Sequence, residues 1–292
     1  MNTYFDQFAY AVAKKHDGGI GIPEPIDPDL HHPESITKAG ETYLWVVFGI
    51  MTAGFLGFTA LSQKVSYRYR TLYVTTLLIN AIAAVSYFVM ASGLGKTIVN
   101  ADPHSWSSVR EVYYARYLDW LFTTPLLLLD ITLLAGLPVG EIIIVVIADI
   151  MMVVTGLIAG LHPSLKYRWG FYGISCLAML FVFYVLVTSA RSYAFLRSPK
   201  VGNLFNQVSL ALLVVWSLYP VVWAFSEGTG KFTADQEVLA FAILDVIAKP
   251  IWGAWVIFGT PEEGHVILPE SLATPVGSNY GSLSQEARSE DA

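Results

Sequence analysis

Long apolar stretches separated by short polar connections form the main pattern of this 292-residue chain. Seven stretches each approach the roughly 20 residues that a helix needs to cross a bilayer. Backbone polar groups inside lipid must be satisfied within the chain, so each stretch is predicted to be a helix. The pattern therefore predicts an all-α membrane protein, a seven-transmembrane helix bundle. The predicted spans lie at about 42–61, 72–92, 112–134, 141–161, 169–189, 204–225 and 237–258.

Composition favours a membrane protein over a soluble one. Hydrophobic residues make up 54% of the chain and charged residues only 14%, whereas soluble domains average about 25% charged residues. The formal net charge of -6 arises mostly at the chain ends, and the lack of a basic run predicts no nucleic-acid partner. The single cysteine, Cys176, excludes a disulfide framework and a thiolate metal site, and it is expected to be a buried structural thiol.

The spans divide the chain into three predicted parts. Residues 1–41 form a polar extracellular arm, 42–258 the seven-helix membrane domain, and 259–292 a flexible cytoplasmic tail rich in Pro, Gly, Ser and Glu. The arm lacks the apolar core and cleavage site of a signal peptide, so it is expected to be retained. Its His31–His32 pair is expected to lie in a solvated loop, and no metal site is predicted.

Lys and Arg residues in the connections predict the orientation in the membrane. One side carries six of them and the other side five, which favours an extracellular N-terminus and a cytoplasmic C-terminus. The six are Lys64, Arg68, Arg70, Arg191, Arg197 and Lys200, and the five are Lys96, Arg110, Lys166, Arg168 and Lys231.

Ionisable residues inside the spans are functional candidates, because a charge in a bilayer is costly without a partner. Arg116 and Asp119 are three residues apart and share a helix face. Asp245 and Lys249 are four residues apart and do the same. If the third and seventh spans pack together, these four residues form a neutral cluster. The pattern leaves two interpretations open, a functional site and a salt-bridge network that only holds the helices together.

Asp130 has a different setting. It follows Asp119 by 11 residues, which is about 16 Å along a helix and roughly 20° from three full turns. Both carboxyls are therefore predicted to face the same way. Asp130 has no cationic partner in its own helix, and burial among leucines favours its protonated form. A protonated donor and an ionised acceptor on one helix face would suit a proton relay.

Aromatic side chains in the third and sixth spans form a second pattern. Trp120, Trp216, Tyr219 and Trp223 fall within these spans, and Pro220 predicts a kink among them. Such a stripe is typical of core or interface packing, and it also suits the wall of a cofactor pocket. The residues alone leave both interpretations open.

Four motifs resemble those of microbial (type I) rhodopsins. ARYLDWLFTTPLLLLD (115–130) and LDVIAKP (244–250) resemble the third and seventh helices of that family. WSLYPVVW (216–223) and ADIMMVVTGLIAGL (148–161) resemble the sixth and fourth helices of bacteriorhodopsin. The resemblance covers about 42–258, and the overall pattern is most like fungal and other eukaryotic proton-pumping members. It implies a light-driven outward proton pump in the plasma membrane, a transporter and photoreceptor rather than an enzyme.

The resemblance implies a retinal cofactor, all-trans and bound to Lys249 as a protonated Schiff base, since a lysine amine condenses with an aldehyde. Asp119 would be the counterion and primary proton acceptor, with Thr123 bonding its carboxylate. Asp245 would be the second counterion, and Arg116 would lie below them toward the release side. Photoisomerisation would move a proton from the Schiff base to Asp119, with protons and internal water as partners.

The resemblance also assigns the two ends of the proton path. Asp130 would reprotonate the Schiff base from the cytoplasmic side, with Thr76 as its hydrogen-bond partner. Glu227 and Glu237 match the paired glutamates of the proton-release group. Both assignments rest on the register of this chain against the family motifs.

A further set of residues is implied to surround the retinal. Tyr87 is expected on the Arg116 side of the pocket, and Thr124 is expected to pair with a buried structural acid, Asp149. The other residues implied to line the retinal are Trp120, Leu127, Met152, Gly156, Ser175, Met179, Trp216, Tyr219 and Trp223.

Two positions depart from bacteriorhodopsin. Pro250 directly follows the lysine and removes an N–H that would bond the carbonyl of Val246, so the seventh helix is expected to deviate from regular geometry at Lys249. Asn80 stands where bacteriorhodopsin has a proline. Neither departure removes a residue assigned to carry protons.

Other functions stay open on the sequence. A sensory photoreceptor would use the same pocket, although sensory members usually lack the carboxylic donor that Asp130 supplies. A light-gated channel or a pump for another ion is a further class, but a chloride pump should lack the acid at Asp119, and the Asn, Asp and Gln pattern of sodium pumps is absent. An unrelated seven-helix transporter or receptor would not need retinal at Lys249. A homo-oligomer, either trimer or dimer, is compatible with the helix surfaces.

Overall fold

The computed structural model describes residues 34–66, 69–100 and 109–261. Within these ranges, seven helices are long and apolar enough to cross a membrane, which confirms the predicted seven-helix architecture. Their bounds are α1 (Lys38–Ser62), α2 (Thr71–Ala91), α3 (Tyr114–Ala135), α4 (Val139–Leu161), α5 (Leu165–Arg197), α6 (Pro199–Gly228) and α7 (Ala234–Gly259). The predictions for the polar arm up to residue 33, for His31–His32, for Arg68 and for the tail from residue 262 lie outside the described residues.

Several helices extend beyond the predicted spans. The largest extension is in α5, which continues to Arg197, so Arg191 and Arg197 lie in a helix and not in a connection. Two other basic residues assigned to connections, Arg110 and Arg168, are buried, at 5% and 2% exposure. Hydropathy placed these residues at the membrane edge because their charge lowers the local average, whereas their position is set by contacts with other elements.

A short antiparallel hairpin connects α2 to α3, and the sequence did not predict it. Strand β1 (Thr97–Asn100) pairs with strand β2 (Val109–Val112). The backbone of Glu34 joins the second strand, because its amide donates to the carbonyl of Val109 and its carbonyl accepts from the amide of Glu111. Strands of four residues carry little periodic signal. The side of the bundle that carries these strands is called the hairpin end below.

Specific caps fix the ends of the helices that carry the ionisable residues. Helix α7 begins with a capping box, in which the Thr233 hydroxyl accepts from the amide of Gln236 and the Gln236 side chain accepts from the amide of Thr233. Helix α3 ends at Gly136, whose φ of 77° is a left-handed conformation that glycine adopts readily. These caps fix the end of α3 and the beginning of α7, and they help to set the positions of the acidic residues of both helices along the bundle.

Lys249 lies in an irregular part of α7. Residues Ile247–Ile251 form a π-helical turn, and the amide of Trp252 donates to the carbonyl of Ile247, five residues earlier. Pro250 lies within this turn and lacks the amide that a regular α-helix would use there. The predicted deviation from a regular helix at Lys249 is confirmed, and its form is a single π turn of the kind that often occurs at functional sites.

Candidate functional site

The Lys249 amine lies between two carboxylates in the interior of the bundle. Its Nζ contacts Oδ2 of Asp119 on α3 and lies 3.2 Å from Oδ1 of Asp245, one turn earlier on α7. All three side chains are buried. The predicted meeting of the third and seventh spans at these residues is therefore confirmed. In this environment the two carboxylates compensate the buried positive charge.

The two carboxylates have different hydrogen-bond partners. Asp245 accepts hydrogen bonds from the hydroxyls of Tyr87 and Tyr219, each at 2.7 Å, and from the Trp120 indole at 3.3 Å. Asp119 contacts the lysine through one oxygen, and its Oδ1 has no hydrogen-bond partner among the described residues. Asp245 is thus held on several sides, while Asp119 keeps an open acceptor position.

The predicted hydrogen bond from Thr123 to the Asp119 carboxylate is wrong. The Thr123 hydroxyl donates instead to the backbone carbonyl of Asp119, at 2.9 Å. A threonine inside a helix commonly bonds the carbonyl four residues earlier, and that local bond competes with longer-range partners. Thr123 therefore fixes the backbone of α3 below the carboxylate rather than the carboxylate itself.

Arg116 belongs to a separate network, which corrects the predicted neutral cluster of four residues. Its Nη1 donates to Oε1 of Glu237 at 2.7 Å and lies 4.0 Å from Oε1 of Glu227. Its guanidinium carbon also lies 4.4 Å from the centre of the Phe241 ring. Helical side chains lean toward the N-terminus of their helix, so Arg116 extends toward the hairpin end and away from Asp119.

Glu227 and Glu237, assigned to the release group, are both buried at the hairpin end, with 1% and 2% exposure. The Tyr117 hydroxyl donates to Oε2 of Glu227 at 2.5 Å, and the Trp223 indole donates to that same hydroxyl at 2.8 Å. Arg168 donates to the backbone carbonyl of Glu227 at 2.6 Å. Burial therefore excludes the simple interpretation of these acids as solvated loop residues.

Three residues of this network escaped the sequence analysis, namely Tyr117, Arg168 and Arg110. Tyr117 follows Arg116 directly, so its place in the third span was a usable signal. Arg110 donates to Oε2 of Glu237 and to the carbonyl of Ser226, each at 2.6 Å. No periodic pattern could reveal that contact, because it depends on how the hairpin folds over the bundle.

Close by, burial raises the pKa of the Tyr113 hydroxyl above its ordinary value, and the charge of Glu111 adds to the effect.

A largely apolar cavity with about 770 Å³ of empty space, its opening included, lies beside Lys249. Ten residues predicted to line a cofactor, together with Lys249 itself, line this cavity. Tyr87 does not line it, because its hydroxyl turns to Asp245. The further lining residues are Tyr117, Val153, Tyr172, Cys176, Pro220, Asp245 and Ala248. The prediction of Cys176 as a buried structural thiol is wrong, since this side chain is only half-buried and faces the cavity.

Two polar contacts lie around the cavity, and one of them was predicted. The Thr124 hydroxyl donates to Oδ2 of Asp149 at 2.7 Å, which confirms that pair. The Ser175 hydroxyl donates to the carbonyl of Met152 at 2.7 Å and ties α5 to α4 at the cavity wall. These bonds satisfy polar groups that would otherwise face an apolar space.

Asp130 is fully buried on the side of Lys249 away from the hairpin. Both Thr75 and Thr76 donate to its carboxyl, Thr76 at 3.3 Å and Thr75 at closer range. Thr76 is the predicted partner, and Thr75 was missed because neighbouring helix residues cannot be ranked without the packing. Asn80 donates to the carbonyl of Thr76 at 2.8 Å. Among the described residues, Asp130 has no ion-pair partner, in contrast to Asp119.

The residues around the cavity fit retinal. An amine at one end can form a covalent bond with an aldehyde, and the neighbouring carboxylates can compensate a positive charge on that nitrogen. The aromatic and aliphatic walls suit a long apolar chain, because ligand sites are lined mostly by hydrophobic and aromatic side chains with a few polar groups. The open Asp119 oxygen adds a hydrogen-bond acceptor next to the nitrogen.

Comparisons with known proteins assign the family. The family described as bacteriorhodopsin-like protein matches residues 38–260. Opsin-like protein carO of Fusarium fujikuroi is 37% identical over 243 residues, which cover 80% of this chain and 79% of that protein. This chain therefore belongs to the bacteriorhodopsin-like family, whose members are integral multi-pass membrane proteins that bind retinal through a lysine Schiff base.

Two solved structures show the same fold. The light-driven proton pump LR (Mac) of Leptosphaeria maculans is 38% identical with a TM-score of 0.72, and the match covers 77% of this chain and 95% of that one. The light-driven proton pump CsR of Coccomyxa subellipsoidea is 36% identical with a TM-score of 0.75, and the match covers 78% of this chain and 99% of that one.

The buried Arg116 network predicts a large effect on stability. Arg116→Gln removes a cation from two buried glutamates and should lower the free energy of unfolding by about 3–5 kcal/mol. Arg191→Gln is the matched control, because Arg191 is exposed and donates to the Asn206 side chain; this change should cost about 1 kcal/mol or less. Unfolding in detergent measures both, and equal losses would contradict the network.

Proposed function

We propose that this chain is a light-driven outward proton pump with retinal bound to Nζ of Lys249. One observation carries the proposal. The buried Lys249 amine lies between two carboxylates with different hydrogen-bond partners, and a third buried carboxyl, Asp130, which is bonded only by threonine hydroxyls among the described residues, lies on the side of Lys249 away from the hairpin end. The two solved pumps described above, which share more than a third of their residues with this chain, support it further.

The walls of the cavity would hold the cofactor. When bound, retinal supplies light absorption and an isomerisation that changes the acidity and surroundings of the lysine nitrogen. Trp120 and Trp216 lie among the cavity walls and exclude water from them. Tyr219 lines the same cavity and donates to Asp245, so it connects the shape of the pocket to the charges beside Lys249.

The first proton transfer would run from Nζ of Lys249 to Asp119. Asp245 accepts three hydrogen bonds from neighbouring side chains, which stabilise its charge. Asp119 contacts the amine directly and has one oxygen without a partner, so it can take a proton with less loss of hydrogen bonding. This difference supports Asp119 as the acceptor and Asp245 as the fixed counterion.

Release would proceed through the hairpin end. Protonation of Asp119 neutralises the charge nearest to Arg116 on the same helix, and Arg116 is bound to the glutamates of the release group. A change in the field at Arg116 therefore reaches Glu227 and Glu237 through direct contacts. Arg116 would thus couple the charge of Asp119 to the release group, and a carboxyl at the exit would give up the proton.

Asp130 would then restore the proton on Lys249. It is buried and has no cation beside it among the described residues, and both conditions favour a neutral acid, although the two threonine hydroxyls that donate to it act in the opposite direction. A neutral acid can donate. Its distance from Asp119 along α3 requires water or a conformational step between the two groups.

Outward direction requires the hairpin end to be extracellular. The loop charges favour this orientation by a small margin, because Arg110 and Arg168 are buried on one side while Arg191 and Arg197 lie within α5 on the other. In the connections between helices, the hairpin end then has Lys96 and Lys231, and the opposite end has Lys64, Arg68 and Arg70. An excess of Lys and Arg marks the cytoplasmic side.

Illumination of cells or vesicles that contain the protein and added retinal should acidify the medium on the hairpin side. The reason is net proton movement from Asp130 past Lys249 to the exit. A pH electrode records the change, and a protonophore should abolish it. Lys249→Ala should remove both the visible absorption band and the pH change. A normal visible band without any pH change would contradict the pump and favour a sensory role.

Asp130→Asn should slow reprotonation of the lysine nitrogen by about a hundredfold, because it removes a positioned general acid. Time-resolved visible absorption measures the rate, and added azide, a small diffusible proton donor, should restore it. Asp149→Asn is the matched control, since Asp149 is also a buried acid with a threonine partner. Unchanged kinetics in Asp130→Asn, or equal slowing in both variants, would contradict the donor assignment.

A further inference from the structure

Arg110 is a buried arginine at the hairpin end that the proton path above does not use. From strand β2 it donates through Nη2 to Oε2 of Glu237 and through Nη1 to the carbonyl of Ser226, each at 2.6 Å. Arg116 occupies the other oxygen of Glu237, with Nη1 at 2.7 Å from Oε1. Each carboxylate oxygen of Glu237 therefore accepts from a different guanidinium.

Glu227 has a different environment. Its Oε2 accepts from the Tyr117 hydroxyl, and because Trp223 donates to that hydroxyl, the single Tyr117 proton must point to Glu227. Its Oε1 is buried without a hydrogen-bond partner among the described residues, and the nearest guanidinium nitrogen, Arg116 Nη1, is 4.0 Å away. Arg168 bonds the backbone of Glu227 and not its carboxyl.

The hairpin fixes Arg110 in place. Arg110 is paired with Val99 in the middle of the hairpin. The backbone of Glu34 bonds both neighbours of Arg110, and the Glu34 carboxyl accepts from the amide of Ala234, the first residue of α7. The strand is thus tied to the helix that carries Glu237, close to where that helix begins.

We propose that Arg110 is a positioning residue that keeps Glu237 ionised and leaves Glu227 as the exit carboxyl that carries the proton. Protonation of Glu237 would break a charge-assisted hydrogen bond to one of its two arginines. Protonation of Glu227 at Oε1 would break no hydrogen bond among the described residues, because this oxygen accepts none. The titratable and charged groups that face the pair are Arg110, Arg116 and Tyr113 around Glu237, and Tyr117, Arg116, Arg110 and Arg168 around Glu227, and the two glutamates also face each other.

This inference deepens the proposed function, but its test does not require transport. Infrared spectra of the dark protein, with and without retinal, in H₂O and D₂O, measure the C=O bands of protonated carboxyls. In the protein that keeps Arg110, Glu227→Gln should remove one such band and Glu237→Gln should remove none. Loss of a band in Glu237→Gln, or in both variants, would overturn the assignment.

Arg110→Gln tests the positioning role directly. It should make Glu237 a protonated or proton-sharing group, so that Glu237→Gln now changes the carboxylic bands in the Arg110→Gln background. Lys96→Gln is the matched control, because Lys96 is a cation of the same hairpin that pairs with Glu111 away from Glu237; it should leave the bands unchanged. A spectrum of Arg110→Gln identical to that of the unmodified protein would contradict the proposal.

The outcomes separate this inference from the pump itself. If illumination fails to acidify the medium while Glu227, and not Glu237, contributes a protonated-carboxyl band, the proposed function fails and the assignment stands. If acidification occurs and Glu237 carries the band, the assignment fails and the pump stands. If Arg110→Gln does not fold, the comparison of the two glutamate variants in the unmodified hairpin background still decides which carboxyl holds the proton.

Discussion

Burial of the Lys249 amine between Asp119 and Asp245 is the constraint on which the rest of the structure depends. An isolated charge in such an interior is very costly, and the pair of carboxylates offsets that cost only if α3 and α7 are in contact at one register. The caps of both helices and the π turn around Lys249 serve this alignment. Tyr87 on α2 and Tyr219 on α6 both donate to the Asp245 carboxylate and so connect these two helices to it.

A second consequence is the separation of ionisable groups by depth. Arg116 does not join the lysine cluster and instead binds the glutamates at the hairpin end. Asp130 lies apart from both networks, with threonine hydroxyls as its partners. Along the length of the bundle lie, in this order, the buried Asp130 carboxyl with its threonine partners, the Lys249 amine between two carboxylates, and the network of Arg116 with the two glutamates. In the proposed cycle, each of these settings corresponds to one proton-transfer step.

Local periodicity was sufficient to predict the seven spans and to place Asp245 and Lys249 on one helix face, because residue spacing on a helix fixes which side chains share a face. Most of the cavity wall was predicted by the resemblance to microbial rhodopsins and not by periodicity. The resemblance did not give the contacts of Thr123, whose hydroxyl bonds its own helix, or of Tyr87, which donates to Asp245 and does not line the cavity. The hairpin and Arg110 depend on contacts between distant parts of the chain. The strands of the hairpin are short and Arg110 is a single residue, so neither shows a repeating pattern from which such contacts could be predicted.

The most direct test of active outward transport is the photocurrent of the retinal-loaded protein at zero membrane voltage with equal pH on both sides. Without a driving gradient, only a pump can move net charge. The account predicts a steady current that carries positive charge toward the hairpin side and disappears in Asp119→Asn, which keeps the side-chain size but cannot accept the proton. A photocurrent that vanishes at zero voltage and reverses sign with the voltage would contradict the account and indicate passive conduction.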